Sequence, residues 1–203
     1  MTLSALALNC TLKSGDGASS TGLMLEQVCE QLAALGVTHQ TVRIANHDIK
    51  PGVTADEGDG DEWPAIRAKA LDADILVMGT PIWLGAPSSL CKRVVERFDA
   101  MLGETDDAGR TPLFGKVAIV AVVGNEDGAH HAAAECFQWL SDVGYTIPAS
   151  GSVYWVGEAM GSVDYNQLPE TPPSVASDLA MTASSAAHLA RLLKSETYPG
   201  APS

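Results

Sequence analysis

At 203 residues and 46% apolar composition, the chain is long and apolar enough for one domain with a sizeable core. A formal net charge of −13 would repel a polyphosphate backbone or an anionic lipid surface, so neither nucleic acid nor a membrane surface is an expected partner. Cys10, Cys29, Cys91 and Cys136 show no metal-ligand spacing, which leaves no expected metal site and points to buried, reduced thiols in a cytoplasmic protein.

The first ten residues lack a basic region and read as a strand, so no signal peptide is expected, and no apolar run approaches the length of a membrane span. Residues 3–8 form an apolar first strand. Residues 9–20 (N-C-T-L-K-S-G-D-G-A-S-S) form a loop of small and polar side chains. Leu23, Met24, Val28, Leu32 and Leu35 then recur at helical spacing, closed by Gly36. A second strand is predicted over residues 37–44. Residues 45–61, with the acidic run A-D-E-G-D-G-D-E at their end, are expected to be a mobile surface loop. A short helix over residues 63–71 follows, with Pro64 acceptable in its first turn.

Ile75 to Met78 is apolar without alternation, as in a strand buried on both faces of a parallel sheet. Gly79, Thr80 and Pro81 are expected to stop it, and Ser88 or Ser89 to cap a helix carrying Leu90, Val94, Val95 and Phe98 on one face. Arg93, Glu96 and Arg97 on that helix suit a salt-bridged face or a subunit contact. Residues 103–115 are a polar connection and 116–123 a further buried strand. Residues 129–143 form an alanine-rich helix, residues 151–156 a last strand, residues 157–174 a proline-broken loop, and residues 175–194 a final helix. Residues 1–195 are taken as one domain and 196–203 as a flexible tail.

Strands and helices thus alternate, which predicts an α/β fold: a doubly wound, five-stranded parallel sheet of order 2-1-3-4-5 with helices on both faces. Its ligand site falls where the winding reverses, at the carboxyl ends of strands one and three. Three loops meet there. In the first, Thr11, Lys13, Ser19, Ser20 and Thr21 place hydroxyls, a cation and helix-start amides, either as an anion site or as an ordinary helix cap. No Walker or G-x-G-x-x-G pattern is present, so a single terminal phosphate suits this loop better than a pyrophosphate. In the second, Pro81, Ile82, Trp83, Leu84, Gly85 and Ala86 are apolar where loops are normally polar; they suit a flat aromatic ligand or a covering subunit. In the third, Gly124, Asn125, Asp127 and Gly128 can approach a heterocycle edge, or Asp127 can cap the next helix with His130 and His131 in solvent.

The strand followed by G-T-P-I-W-L-G-A-P-S-S-L-C-K and then Glu96-Arg97, together with the serine/threonine-rich loop over residues 9–21, resembles the NAD(P)H-dependent FMN reductases and flavodoxin-like quinone reductases. The likeness covers residues 3–156 and the last helix. Tryptophan stands at position 83 where tyrosine is usual, and the first loop lacks the family's G-S-x-R arginine. The resemblance implies a flavodoxin-like fold with FMN phosphate in the first loop, the isoalloxazine on residues 81–86 and the Gly124 loop on the pyrimidine side. It implies an enzyme that passes electrons from NADH or NADPH to a quinone, an azo compound or free flavin. It also implies a homo-oligomer, dimer or tetramer. An electron carrier without nicotinamide activity and a cofactor-free module remain the competing expectations.

Overall fold

The computed structural model describes residues 2–200. Five parallel strands form the sheet: β1 (Leu3–Asn9), β2 (Val37–Arg43), β3 (Ile75–Trp83), β5 (Val117–Gly124) and β6 (Ser152–Val156). Their order, β2-β1-β3-β5-β6, is the doubly wound order expected, and two-residue β4 (Ala86–Pro87) adds an antiparallel return on β3. Helices α1 (Ser20–Ala34) and α5 (Pro173–Ser195) cover one face. Helices α2 (Trp63–Asp72), α3 (Ser89–Phe98) and α4 (Ala129–Asp142) cover the other. Every residue of β1 except Ser4, and of β5 except Gly124, is buried, which explains why these runs lack polar alternation.

The third strand does not stop at Gly79. It continues through Thr80 and Pro81, paired with Val122 and Val123 of β5, to Trp83. Pairing with β1 ends at Gly79, so beyond that point one side of β3 is an edge, where a proline without an N–H is tolerated. The segment read as a loop is therefore a hairpin. Leu84 and Gly85 form its two-residue turn, with φ 52° and 77°, between Trp83 and its partner Ala86. Two positive φ values mark the type I′ hairpin turn, whose first position normally holds Asn, Asp or Gly.

Two further expectations are corrected. Arg97 is neither a surface charge nor a subunit contact: its side chain is fully buried, as is that of Asp61, and the two pair at 2.7 Å. Its other nitrogens donate to the carbonyls of Thr54 and Lys50, while Arg93 donates to that of Ile49. Residues 49–61, expected to be mobile, are thus tied to α3. Burial alone would raise the Asp61 carboxyl. Arg97 and the amides of Glu57, Trp63 and Lys50 outweigh it and hold the group well below the usual carboxylate range. Of the expected tail, residues 201–203 lie outside the described residues. Tyr198 rests edge-on against Phe114 at 5.9 Å.

Candidate functional site

At the carboxyl ends of β1, β3 and β5 lies a cavity of about 510 Å³. Its first wall is the start of α1. Ser19 is the N-cap, its Oγ accepting the N–H of Gly22 at 3.0 Å, so α1 begins at Ser20, the last residue read as loop. The N–H groups of Ser20 and Thr21 open the helix and have no intrahelical acceptor, as at any helix start. Thr11, Lys13, Ser19, Ser20 and Thr21 all line this end. Ser20 Oγ donates to Asn166 Oδ1 at 3.1 Å.

The opposite end is apolar. Pro81, Ile82, Trp83 and Leu84 line it, together with Gly124 and Asn125 of the loop after β5. Gly85, Ala86, Asp127 and Gly128, expected in the same site, do not line the cavity; they shape it from behind. A Cβ on Gly128 would stand 2.6 Å from the Gly85 carbonyl oxygen, so only glycine lets these two loops touch. His131 Nδ1 lies 3.0 Å from that carbonyl and His130 packs edge-on against Tyr154, and both histidines are exposed to solvent, as one of the two expectations had them. Asp127 does not cap α4: Gly128 is its N-cap, and Asp127 Oδ1 accepts the N–H of Gly128. The Leu84 N–H donates to Glu126 Oε1 at 2.9 Å.

Sequence reasoning missed Glu126, Trp155, Met160, Asp164 and Tyr165, which also line the cavity. All but Glu126 come from the end of β6 and the segment after it, whose short 3-10 turn at Tyr165–Gln167 has no periodic pattern to reveal it. Asn125 Nδ2 donates to Asp164 Oδ1 at 3.0 Å, and Trp155 packs on Tyr165 with ring centroids 5.4 Å apart. A wider groove of about 870 Å³ along β2 shares Ser19 but has no tryptophan wall.

One buried hydroxyl joins the two ends. Ser88 Oγ donates to the Cys10 carbonyl at 2.7 Å and accepts the Cys91 N–H as N-cap of α3. The Ser88 N–H donates to Thr80 Oγ1 at 2.9 Å. Cys10 itself is buried, and hydrogen bonding with Cys91 and burial both push its thiol up, which makes it a packing residue rather than a reactive one.

The cavity therefore offers hydroxyls, helix-start amides and Lys13 at one end, and two tryptophans at the other. That division suits an anionic tail joined to a flat ring, in a volume ordinary for small-ligand sites. Among the described residues, no cluster of His, Cys, Asp and Glu is arranged to hold a metal ion, and no helix is long and apolar enough to cross a membrane.

The family model described as NADPH-dependent FMN reductase matches residues 3–160. A Mycobacterium bovis protein named divalent metal cation transporter MntH is 39% identical over 161 residues, 77% of this chain and 24% of that protein. The 8-demethyl-8-aminoriboflavin-5'-phosphate synthase of Streptomyces davaonensis is 34% identical over 168 residues, 78% of this chain and 65% of that protein. The chain thus spans about a quarter of the first relative and just under two thirds of the second. The crystal structure of RosB with bound 8-demethyl-8-formylriboflavin-5'-phosphate superposes with a TM-score of 0.90 at 31% identity, covering 98% of this chain and 82% of that one. An archaeal flavodoxin, at 11% identity and a TM-score of 0.57 over 95% of this chain and 99% of that one, shares the fold, which is flavodoxin-like.

Proposed function

Because the chain belongs to the NADPH-dependent FMN reductase family, we propose that it is an FMN-dependent oxidoreductase that takes electrons from NADH or NADPH and passes them to a small acceptor such as a quinone, an azo compound or free flavin. The observation that carries this reading is the two-ended cavity at the winding reversal, lined by hydroxyls, Lys13 and the start of α1 at one end and by Trp83 and Trp155 at the other. When bound, FMN supplies the redox chemistry. Thr11, Lys13, Ser19, Ser20 and Thr21 hold its phosphate. Pro81 to Leu84, Gly124 and Asn125 orient its ring, with Gly85, Ala86, Asp127 and Gly128 holding those two loops together. Leu84 does not offer its N–H freely to a ligand, since Glu126 takes that bond. Trp83 and Trp155 exclude water from the ring end. Overall, the reduced nicotinamide gives up a hydride and a quinone gains two electrons and two protons, the second proton coming from solvent.

The test is spectroscopic. Purified protein titrated with FMN should show flavin absorption perturbed by binding, and anaerobic mixing with NADH or NADPH should bleach it. Binding without bleaching would instead identify an electron carrier, to which the charge of −13 is suited. A second reading follows from RosB, whose structure holds a riboflavin phosphate derivative: the same cavity would take a flavin phosphate as reactant. Mass spectrometry of the flavin after turnover separates the two, since a cofactor returns unchanged. We further propose a cytoplasmic homo-oligomer, dimer or tetramer, with the Trp83 hairpin near the partner; the 54% exposure of Trp83 supports this.

A further inference from the structure

Asn9 breaks the pattern of its strand. Leu3, Ala5 and Ala7 of β1 belong to the core beneath α1 and α5, and Asn9 is the next residue on that face. It is only 2% exposed. Its Oδ1 accepts the Thr11 N–H at 3.1 Å, which orients the amide and leaves Nδ2 with no partner among the described residues. A buried donor without an acceptor is costly, so its placement calls for a ligand. Arg43 is the register partner of Asn9 on β2. Its Nη1 donates to the Gly15 carbonyl, and its Nη2 has no partner among the described residues either.

The two unpaired donors meet over Gly22. The point a Cβ would occupy there lies 3.3 Å from Asn9 Nδ2 and 3.8 Å from Arg43 Nη2. Gly22 is the third residue of α1, where alanine is the better helix former, and glycine keeps the approach to both donors open. Asn9 and Arg43 line the groove of about 870 Å³ along β2, as do Asp16 and Glu26. Both donors stand at the carboxyl ends of their strands, on the ligand side of the sheet. Ser19 alone is common to this groove and the FMN cavity.

We propose that the groove is a second anion site, beside the FMN cavity, that holds a nucleoside phosphate. The phosphate oxygens accept from Arg43 Nη2 and Asn9 Nδ2, next to the positive end of α1. Asp16 and Glu26 accept the ligand's hydroxyls, and the groove has the volume for a nucleoside. A free nucleotide and the 2′-phosphate end of NADPH share this chemistry. No bond is made or broken, and the site does not depend on what fills the neighbouring cavity.

FMN loading is measured first by absorbance. The loaded protein is then titrated calorimetrically with 5′-AMP, 2′,5′-ADP and adenosine. A nucleotide should bind about tenfold or more tightly than adenosine, and the difference should shrink as salt rises. Asn9→Asp keeps the oxygen that takes the Thr11 N–H but sets a carboxylate against the phosphate. Gly22→Ala fills the approach while favouring the helix. Each should keep the melting temperature and weaken the nucleotide about tenfold or more, and Arg43→Gln should weaken it and flatten the salt dependence. If the source is the nicotinamide donor, 2′,5′-ADP binds more tightly than 5′-AMP and the variants raise KM for NADPH but not for NADH. If it is a separate nucleotide, 5′-AMP binds at least as well and neither KM moves. Nucleotide binding no tighter than that of adenosine, parent-like affinity in Asn9→Asp and Gly22→Ala, or release of FMN by the nucleotide overturns the site and leaves the FMN reading intact. A protein that takes up no FMN, yet binds nucleotide in the parent and not in these variants, overturns the FMN reading alone.

Discussion

The Glu126 carboxylate accepts the backbone N–H of Leu84 at 2.9 Å and thereby joins the loop after β5 to the hairpin after β3. Both residues line the cavity, so this bond fixes the width of its ring end. Glu126→Gln keeps an acceptor oxygen but removes the charge. Glu126→Ala removes both. The glutamine variant should keep the parent melting temperature and raise the midpoint potential of bound FMN, because a nearby negative charge opposes electron gain. The alanine variant should raise the potential and also weaken FMN. Potentiometry on both variants checks this; equal potentials in the parent and the glutamine variant would show that the carboxylate does not sense the ring.

Trp83→Ala should fold normally, since more than half of this side chain is already exposed. It should weaken FMN by the worth of an aromatic contact, about 0.5–1.5 kcal/mol beyond area burial. Flavin fluorescence, quenched by a neighbouring indole, should partly return. An unaltered FMN affinity with lost assembly would assign Trp83 to a subunit contact instead.

Replacing Ser19, Ser20 and Thr21 together by alanine should weaken FMN far more than riboflavin. A hydrogen bond to a charged group is worth about 1.5–3 kcal/mol. The variant also loses the Ser19 N-cap, at about 1 kcal/mol of helix stability. Comparing the two flavins in the same variant cancels that loss. Equal weakening of both would place the phosphate elsewhere.

The Arg97–Asp61 pair makes a pH prediction. Asp61 titrates below its unfolded value of about 3.9, so its contribution to stability is fully present above about pH 4 and is lost as the pH falls through the depressed folded value. Asp61→Asn leaves a buried guanidinium without its counter-charge and should cost about 3–5 kcal/mol near neutrality. Its stability curve should be flatter than the parent's below pH 4. Denaturant unfolding at several pH values measures both effects, and a neutral-pH stability equal to the parent's would refute the role given to the pair.

Light scattering of dilute FMN-loaded protein should give at least twice the 21.1 kDa chain mass. A clean monomer would remove the proposed assembly.

The parts legible in the sequence are those whose signal is local. The apolar runs at Ile75–Met78 and in β5, the Ser19 and Ser88 caps and the small-residue loop before α1 each carry their own physical reason, and together they located the winding reversal. What was missed depends on distant neighbours. Gly79-Thr80-Pro81 is a breaker by composition, and only pairing with β5 keeps it extended. Arg97 has the spacing of a surface ion pair, and only the fold shows that α3 turns it inward onto residues 50–61. Trp155 and Tyr165 reach the cavity from an aperiodic segment, so nothing in their spacing announced them.

Ser88 gives the cavity a ruler. Its side chain and its amide hold Cys10, the residue before Thr11, in fixed register with Thr80, the residue before Pro81. The span from the hydroxyl end to the aromatic end is thus set by the protein's own buried bonds and not by whatever lies between them. On the FMN reading, ligands are sorted by the length of the tether that joins anion to ring. A flavin with a shortened or lengthened side chain can then satisfy one end at a time but not both.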